Sequence, residues 1–321
     1  MSSIRSLPVD ELVDLAVGGD RRAIGRLLTL VERNGSEADV AARRLHAHGK
    51  GSHVIGITGA PGAGKSTLVG ELVQQMVQRG ASPAVVAVDP SSPLTGGAIL
   101  GDRVRMAELT EAFIRSMATR GHAGGLALAI PGAVRVFDAV GYDPVIIETV
   151  GVGQVEVDVT AAADTTVVVV TPGMGDAVQA NKAGLLEVAD IFVVNKADRP
   201  GASDTRRDLE LMLELSHVTG QEDASYRPPI LMTNSLEGEG HALVIDAIEA
   251  HHRHLVESGG LELRRRRRVE FEIESRLNTV FERRVAELKT DQRWADIIDS
   301  AAAGQIAPPE ASVRVADMLL H

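Results

Sequence analysis

The stretch VIGITGAPGAGKSTLVGELVQQM, residues 54–76, decides the fold. It reads as a short apolar strand, a glycine-rich loop and an amphipathic helix. Gly59, Gly64, Lys65 and Ser66 meet the spacing G-x-x-x-x-G-K-S/T in the strand–loop–helix setting that gives the spacing its meaning. A loop wrapped around phosphate must turn successive N–H groups inward, which needs backbone angles that a Cβ resists. Residues Gly59, Ala60, Pro61, Gly62, Ala63, Gly64, Lys65, Ser66 and Thr67 are therefore the predicted phosphate cradle. The following helix adds its free N–H groups and positive dipole end. Lys65 is placed to neutralise the β- and γ-phosphates, and the Ser66 hydroxyl to take one position on Mg²⁺.

Outward from this stretch, apolar runs recur at 84–88, 144–148, 166–171, 190–195 and 230–233. They are short, β-branched and continuous, as strands covered on both faces should be. Helical patterns lie between them at 124–140, 178–189, 204–216 and 240–255. This alternation predicts an α/β fold, a parallel sheet with helices on both sides and binding loops at the C-terminal strand ends. Residues 1–50 read as an N-terminal helical extension, with Asp20 capping one helix and Ser36-x-x-Asp39 starting another. Residues 51–256 are the expected nucleotide domain. Residues 257–321 are a C-terminal helical region with an apolar stripe at Val269, Ile273, Leu277, Val280, Val285 and Leu288. The five-arginine run Arg264–Arg268 is expected to be a solvated face paired with nearby glutamates.

The chain has 321 residues, is 44% hydrophobic and 24% charged, and carries a formal net charge of −11. That balance supplies a core and argues against a nucleic-acid partner, since there is no basic excess for a phosphate backbone. Cysteine is absent, which removes disulfides and cysteine-based metal sites and suits a reducing compartment. No apolar run has the length of a membrane span or a signal-peptide core. A cytoplasmic location is expected.

The run at 191–194 ends in Asn195-Lys196-Ala197-Asp198. A carboxylate there can accept from both the ring N–H and the exocyclic amine of guanine. Adenine lacks that donor pair and would leave the charge unpaired, so GTP is expected over ATP. The asparagine amide would tie base and loop together. Asp89 and Asp102 are expected in the Mg²⁺ shell. Glu148, in ETVG, stands at the D-x-x-G position of GTPases, also near the metal, and Gly151 can offer its N–H to the γ-phosphate. Where Ras-like GTPases carry a water-orienting glutamine, this chain has Val152; Gln154 could reach only after loop rearrangement. Turnover of the isolated protein is therefore expected at roughly 10⁻⁴ to 10⁻² s⁻¹, with acceleration by a partner.

In order along the chain, GAPGAGKST, VDPSSPLTGGAILGDRVRM, FIRSMATRGHAGGLA, IIETVGVGQ, PGMGDAVQANKAG and NKAD closely resemble the MeaB/MMAA/ArgK family over about residues 10–290. The resemblance implies a P-loop GTPase of the metal-insertion (SIMIBI) type that acts as a chaperone of an adenosylcobalamin-dependent acyl-CoA mutase, most directly methylmalonyl-CoA mutase. It implies that GTP hydrolysis is coupled to cofactor loading, with adenosylcobalamin met only through the mutase. A homodimer held partly by the C-terminal helices is implied too, and a cobalamin adenosyltransferase is a further candidate partner. By matching position, Lys65, Ser66, Asp89, Asp102, Glu148, Asn195 and Asp198 form the nucleotide and Mg²⁺ site. Lys182 takes a hydrolysis-activating role, and loops 90–101, 149–155 and 172–182 become switches. The guanine-side loop reads Thr233-Asn234-Ser235-Leu236, with backbone N–H groups of Asn234, Ser235 and Leu236 expected to face the base.

Two rival readings share parts of this pattern. A nickel-inserting maturation GTPase needs a metal store, for which only His251-His252-x-His254 offers; the helical spacing makes a solvated helix end the better reading. A transport-associated kinase needs ATP and an acceptor base, and NKAD argues against the first.

Overall fold

The computed structural model describes residues 4, 7–89, 111–118, 123–149, 159–173, 188–217 and 226–320. The chain divides into two compact units, residues 1–271 and 272–321. The first is built on a sheet of seven strands: β1 (Val54–Thr58), β2 (Ala84–Asp89), β3 (Phe113–Ala118), β4 (Val145–Thr149), β5 (Thr165–Val170), β6 (Ile191–Asn195) and β7 (Ile230–Thr233). Their order is β3-β2-β4-β1-β5-β6-β7, and every neighbouring pair is parallel. The helices described in this unit are α1 (Val9–Val17), α2 (Arg21–Arg33), α3 (Ser36–His46), α4 (Lys65–Gln78), α5 (Ala123–Val140), α6 (Ala202–His217), α7 (His241–Ser258) and the start of α8 (Gly260–Leu288).

The continuous apolar runs are explained by burial on both faces. Ala84, Val86 and Val88 of β2 join a core with α1–α3 and α5, while Val85 turns to the opposite core under α4 and α7. Val145 and Ile147 of β4 likewise oppose Ile146. A third cluster sets Val168, Val170, Phe192 and Val194 against Leu209 and Leu213 of α6. Residues 8–46 are helical as read: Asp20 Oδ1 caps α2 by accepting from the N–H groups of Arg22 and Ala23, at 2.8 and 2.9 Å. Their apolar side chains, Leu12, Ile24, Leu27, Leu28 and Val31, belong to the same cluster as β2 and β4.

Two expectations are corrected. Strand β3 was not foreseen, because FIRSMA alternates only weakly and carries Arg115 in mid-strand. That guanidinium is accommodated by Glu32 at 2.7 Å and the Thr29 hydroxyl at 3.2 Å, both on α2. Ser36 does not cap α3: the N-cap is Gly35, which makes no side-chain cap bond. The helix expected at 178–189 falls largely outside the described residues. No described helix is long and apolar enough to cross a membrane.

In the second unit α8 continues to Leu288, followed by α9 (Gln292–Ala302) and α10 (Pro308–Leu320), which pack on each other. Asp291 caps α9, accepting from Arg293 N–H at 2.8 Å.

Candidate nucleotide site

Strand β1 delivers the glycine-rich loop to the C-terminal edge of the sheet. There the chain has gone outward through β2 and β3, returned to β4 beside β1, and then crossed to β5, leaving the crevice where such folds take ligands. Two glycines carry the loop. Gly59 has φ +137, and a Cβ on it would lie 2.0 Å from the Val169 carbonyl oxygen. Gly64, the N-cap of α4, has φ +88, and a Cβ there would lie 2.4 Å from Asn195 Nδ2. Any side chain at either position breaks the cradle.

Lys65 opens α4 and is buried, its Nζ donating to the carbonyls of Gly59 and Ala60 at 2.6 and 2.9 Å. The ammonium is thus tethered within the loop whose N–H groups and helix dipole attract phosphate. Ser66, next on the helix, donates to Glu148 Oε1. Glu148 is buried near the end of β4, opposite Ile57 of β1 and Ala87 of β2. A hydroxyl and a carboxylate joined beside a phosphate cradle are hard oxygen donors of the kind Mg²⁺ accepts, so the residues present fit that ion. Asp89 ends β2 one residue past the Val88–Thr149 pairing, which puts its backbone at the same edge. Asp102, Gly151, Gln154 and Lys182 lie outside the described residues.

Strand β6 brings in the residues expected on the base side. Asn195, only 1% exposed, donates through Nδ2 to the Ala63 carbonyl at 2.9 Å and so joins this strand end to the phosphate loop. Lys196, in a left-handed turn at φ 58, crosses to the Gly62 carbonyl at 2.7 Å. Asp198 is exposed beyond the turn. The loop after β7 is more inward than expected. Asn234 and Ser235 are buried, and Leu236 is 88% exposed. The Leu236 N–H reaches Asn234 Oδ1 at 3.3 Å, so side chains as well as backbone shape this loop.

At the opposite, N-terminal edge of the sheet the sequence reading is overturned twice. His251 is buried at 1% exposure rather than solvated. Its Nε2 faces Asp190 Oδ1 at 3.3 Å, and its Nδ1 faces the Thr165 hydroxyl at 2.9 Å, which in turn meets His53 Nε2 at 2.8 Å. His252 stacks on His53 with ring centroids 4.1 Å apart. Neighbouring helix positions diverge, which sends His251 and His252 to different partners; among the described residues no group of three or more His, Cys, Asp or Glu is placed to hold a metal. The arginine run is likewise divided. Arg266 pairs with exposed Glu270 as read, but Arg264 grips Asp190 with two bonds of 2.6 and 2.7 Å. Arg268, one turn on, pairs with buried Asp164, and Arg265 donates to the Gly51 carbonyl at 2.8 Å. The missed signal was an aspartate immediately before each of two buried strands, facing arginines spaced i, i+4.

Comparison with known proteins agrees with this geometry. The family described as "Methylmalonyl Co-A mutase-associated GTPase MeaB" matches residues 24–290. A Pyrococcus horikoshii protein named as a GTPase is 43% identical over 316 residues, covering 98% of this chain and 99% of its own length. A "Fused isobutyryl-CoA mutase" of Geobacillus kaustophilus is 38% identical over 231 residues, covering 68% of this chain and 21% of that protein. Among solved structures, one described as a LAO/AO transport system kinase superposes with a TM-score of 0.73 at 26% identity, each chain wholly covered. With its P-loop, its guanine-type strand end and its parallel sheet in these relations, the chain belongs to the MeaB family of P-loop GTPases and hydrolyses GTP.

Proposed function

We propose that this GTPase is a chaperone of an adenosylcobalamin-dependent acyl-CoA mutase, with methylmalonyl-CoA mutase the first client to test. The observation that carries the reading is the relative in which a stretch similar to this chain is part of an isobutyryl-CoA mutase polypeptide. Covalent linkage holds two modules at high effective concentration and is useful when they must act on each other. The family description, a mutase-associated GTPase, supports the same pairing.

In this reading residues 51–256 form the GTPase domain, with Lys65 and the 59–67 loop on the phosphates, Asn195, Lys196 and Asp198 on guanine, and the 234–236 loop beside it. Mg²⁺ is held by Ser66 and Glu148, with Asp89 and Asp102 in its shell, and would neutralise charge on the phosphates. Gly151, Gln154 and Lys182 complete the γ-phosphate side. Residues 1–50 extend the domain, and 257–321 form a homodimer contact. Hydrolysis is slow until the mutase completes the site, adenosylcobalamin enters only through the mutase, and a cobalamin adenosyltransferase joins as donor of that cofactor. The setting is the cytoplasm.

Single-turnover GTP hydrolysis measured with and without purified mutase tests this. The expected result is a rise of at least about tenfold, inside the roughly 10³–10⁵ a partner-supplied group can contribute. No nucleotide-dependent contact with either mutase, and no change in rate, overturns the chaperone role while leaving the GTPase intact. Likeness to a solved transport system kinase offers a second reading, a transport-associated kinase; phosphate transfer to protein from ATP but not from GTP would favour it.

A further inference from the structure

Asn195 sits in a polar network larger than contact with a nucleotide requires. Its Oδ1 accepts from the Thr233 hydroxyl at 3.1 Å and the Ser235 hydroxyl at 2.9 Å, with the Ser235 N–H at 3.3 Å. Its Nδ2 donates to the Ala63 carbonyl at 2.9 Å. Turning the amide over would set its NH₂ against the Ser235 N–H and its oxygen against the Ala63 carbonyl, so these backbone groups choose its orientation and the two hydroxyls add to the hold on Oδ1.

The Ser235 hydroxyl has a single proton. Given to Asn195, it leaves the oxygen as an acceptor toward anything else. The neighbour on that side is His241, the first residue of α7, completely buried, with Nε2 at 3.3 Å from Ser235 Oγ. With that proton given to Asn195, the imidazole can bond Ser235 by donating from Nε2, and this network assigns the Nε2–H tautomer. Nδ1 is enclosed and has no partner of hydrogen-bond geometry, the Gly238 carbonyl acting on the ring only as a weaker acceptor. Burial holds the ring below its ordinary pKa, while Glu71 and the Gly238 carbonyl pull weakly the other way. It stays neutral near pH 7, with one proton to place.

We propose that His241 is a positioning residue for nucleotide recognition: by donating to Ser235 it commits the Ser235 hydroxyl to Asn195, and so steadies the Asn195 amide that ties the base side to the phosphate loop. This rests on reading Asn195 and Asp198 as the guanine-binding pair. Without His241 the Ser235 hydroxyl can rotate to other acceptors, and Asn195 Oδ1 loses one of its donors for part of the time.

The test is equilibrium binding of fluorescent GDP and ADP analogues to the full chain, wild type and variants. His241→Phe, which keeps the ring and removes the donor, is expected to weaken GDP about fivefold, the worth of one net hydrogen bond. His241→Gln, whose amide nitrogen can stand where Nε2 stands, restores most of the affinity. In a Ser235→Ala background His241→Phe has no further effect, because the two residues act in series. Unchanged affinity in His241→Phe, or its full effect in the Ser235→Ala background, overturns the proposal. Should His241→Phe fail to fold, the comparison passes to Gln against Asn, which places its amide nitrogen near Nδ1; equal affinities then overturn it. A wild-type protein that binds GDP and ADP alike overturns the guanine reading and this inference with it, whereas guanine preference with additive variants overturns this inference alone.

Discussion

Asp198 and Asn195 stand three residues apart and could hardly differ more in setting, one exposed and the other 1% exposed. The exposed carboxylate can pair with two N–H donors of guanine at once, whereas the buried amide is already held by the Ala63 carbonyl and the Thr233 and Ser235 hydroxyls. Base choice should therefore be separable from loop integrity. Asp198→Asn presents one donor and one acceptor, which matches the C2 carbonyl of xanthine and mismatches the amine of guanine. Losing charged bonds worth about 1.5–3 kcal/mol each, GTP should weaken at least about a hundredfold while XTP binds better than GTP; competition binding checks it. An equal loss of both nucleotides would mean that Asp198 supports the loop instead. At this scale the sequence was legible for placement: Lys65, Ser66, Glu148, Asn195 and Asp198 lie where their own strand ends and the glycine-rich loop put them, at the C-terminal edge of the sheet. It was opaque for Ser235 and His241, whose roles depend on tautomers and on a neighbour that only the fold supplies.

The elements carry a second polar system, at the sheet edge away from the nucleotide loop. Asp164 and Asp190 stand before β5 and β6, and each also binds backbone: Val54 N–H at 2.9 Å and Thr166 N–H at 2.8 Å. Arg264 and Arg268 lock both from α8, so Arg268→Ala leaves a buried carboxylate without its cation. A cost of about 3 kcal/mol is expected in urea unfolding, as when one partner of a buried pair is removed. The histidines beside it set a pH dependence. Burial, reinforced by His252, His251, Arg265 and Arg268, lowers the pKa of His53 from 6.5 to about 3. The unfolded chain therefore takes up a proton below pH 6.5 that the folded chain refuses until about pH 3. His53 leaves stability intact above 6.5 and erodes it as pH falls, by up to about 1.4 kcal/mol per pH unit. Asp190 contributes elsewhere: burial would raise its pKa, but bonds from His251 and Arg264 outweigh that and lower it, so its share is lost only under more acidic conditions, below its ordinary 3.8. Urea midpoints between pH 7.5 and 5 should fall in the wild type and fall less in His53→Asn. The alternation of strands and helices was readable from sequence because burial on both faces leaves continuous apolar runs. This clamp was not, since i, i+4 arginines look the same whether they meet solvent or buried aspartates, and β3 was hidden because its one charge is neutralised by a helix from another part of the chain.

For the whole molecule the open question is what covers α8. Val269, Ile273, Leu277 and Val280 are 55, 52, 62 and 60% exposed, one apolar stripe at helical spacing. Stripes of this kind mark association surfaces in proteins that remain in solution, and the proposed homodimer would use it. Leu277→Asp with Val280→Asp should convert a dimer to a monomer in sedimentation equilibrium while GDP affinity stays within about twofold, because neither residue belongs to the unit that holds the nucleotide. The variant then separates assembly from catalysis. Basal turnover should remain in the roughly 10⁻⁴ to 10⁻² s⁻¹ range, the range expected from a sequence with Val152 where Ras-like GTPases carry a water-orienting glutamine. If the mutase engages each nucleotide domain separately, the monomeric variant is stimulated as fully as the wild type. If it engages the paired domains, stimulation is lost with basal hydrolysis unchanged. A wild-type rate of tens per second without any mutase would remove the premise of both outcomes, because a site complete in one chain has no need of a partner to finish it.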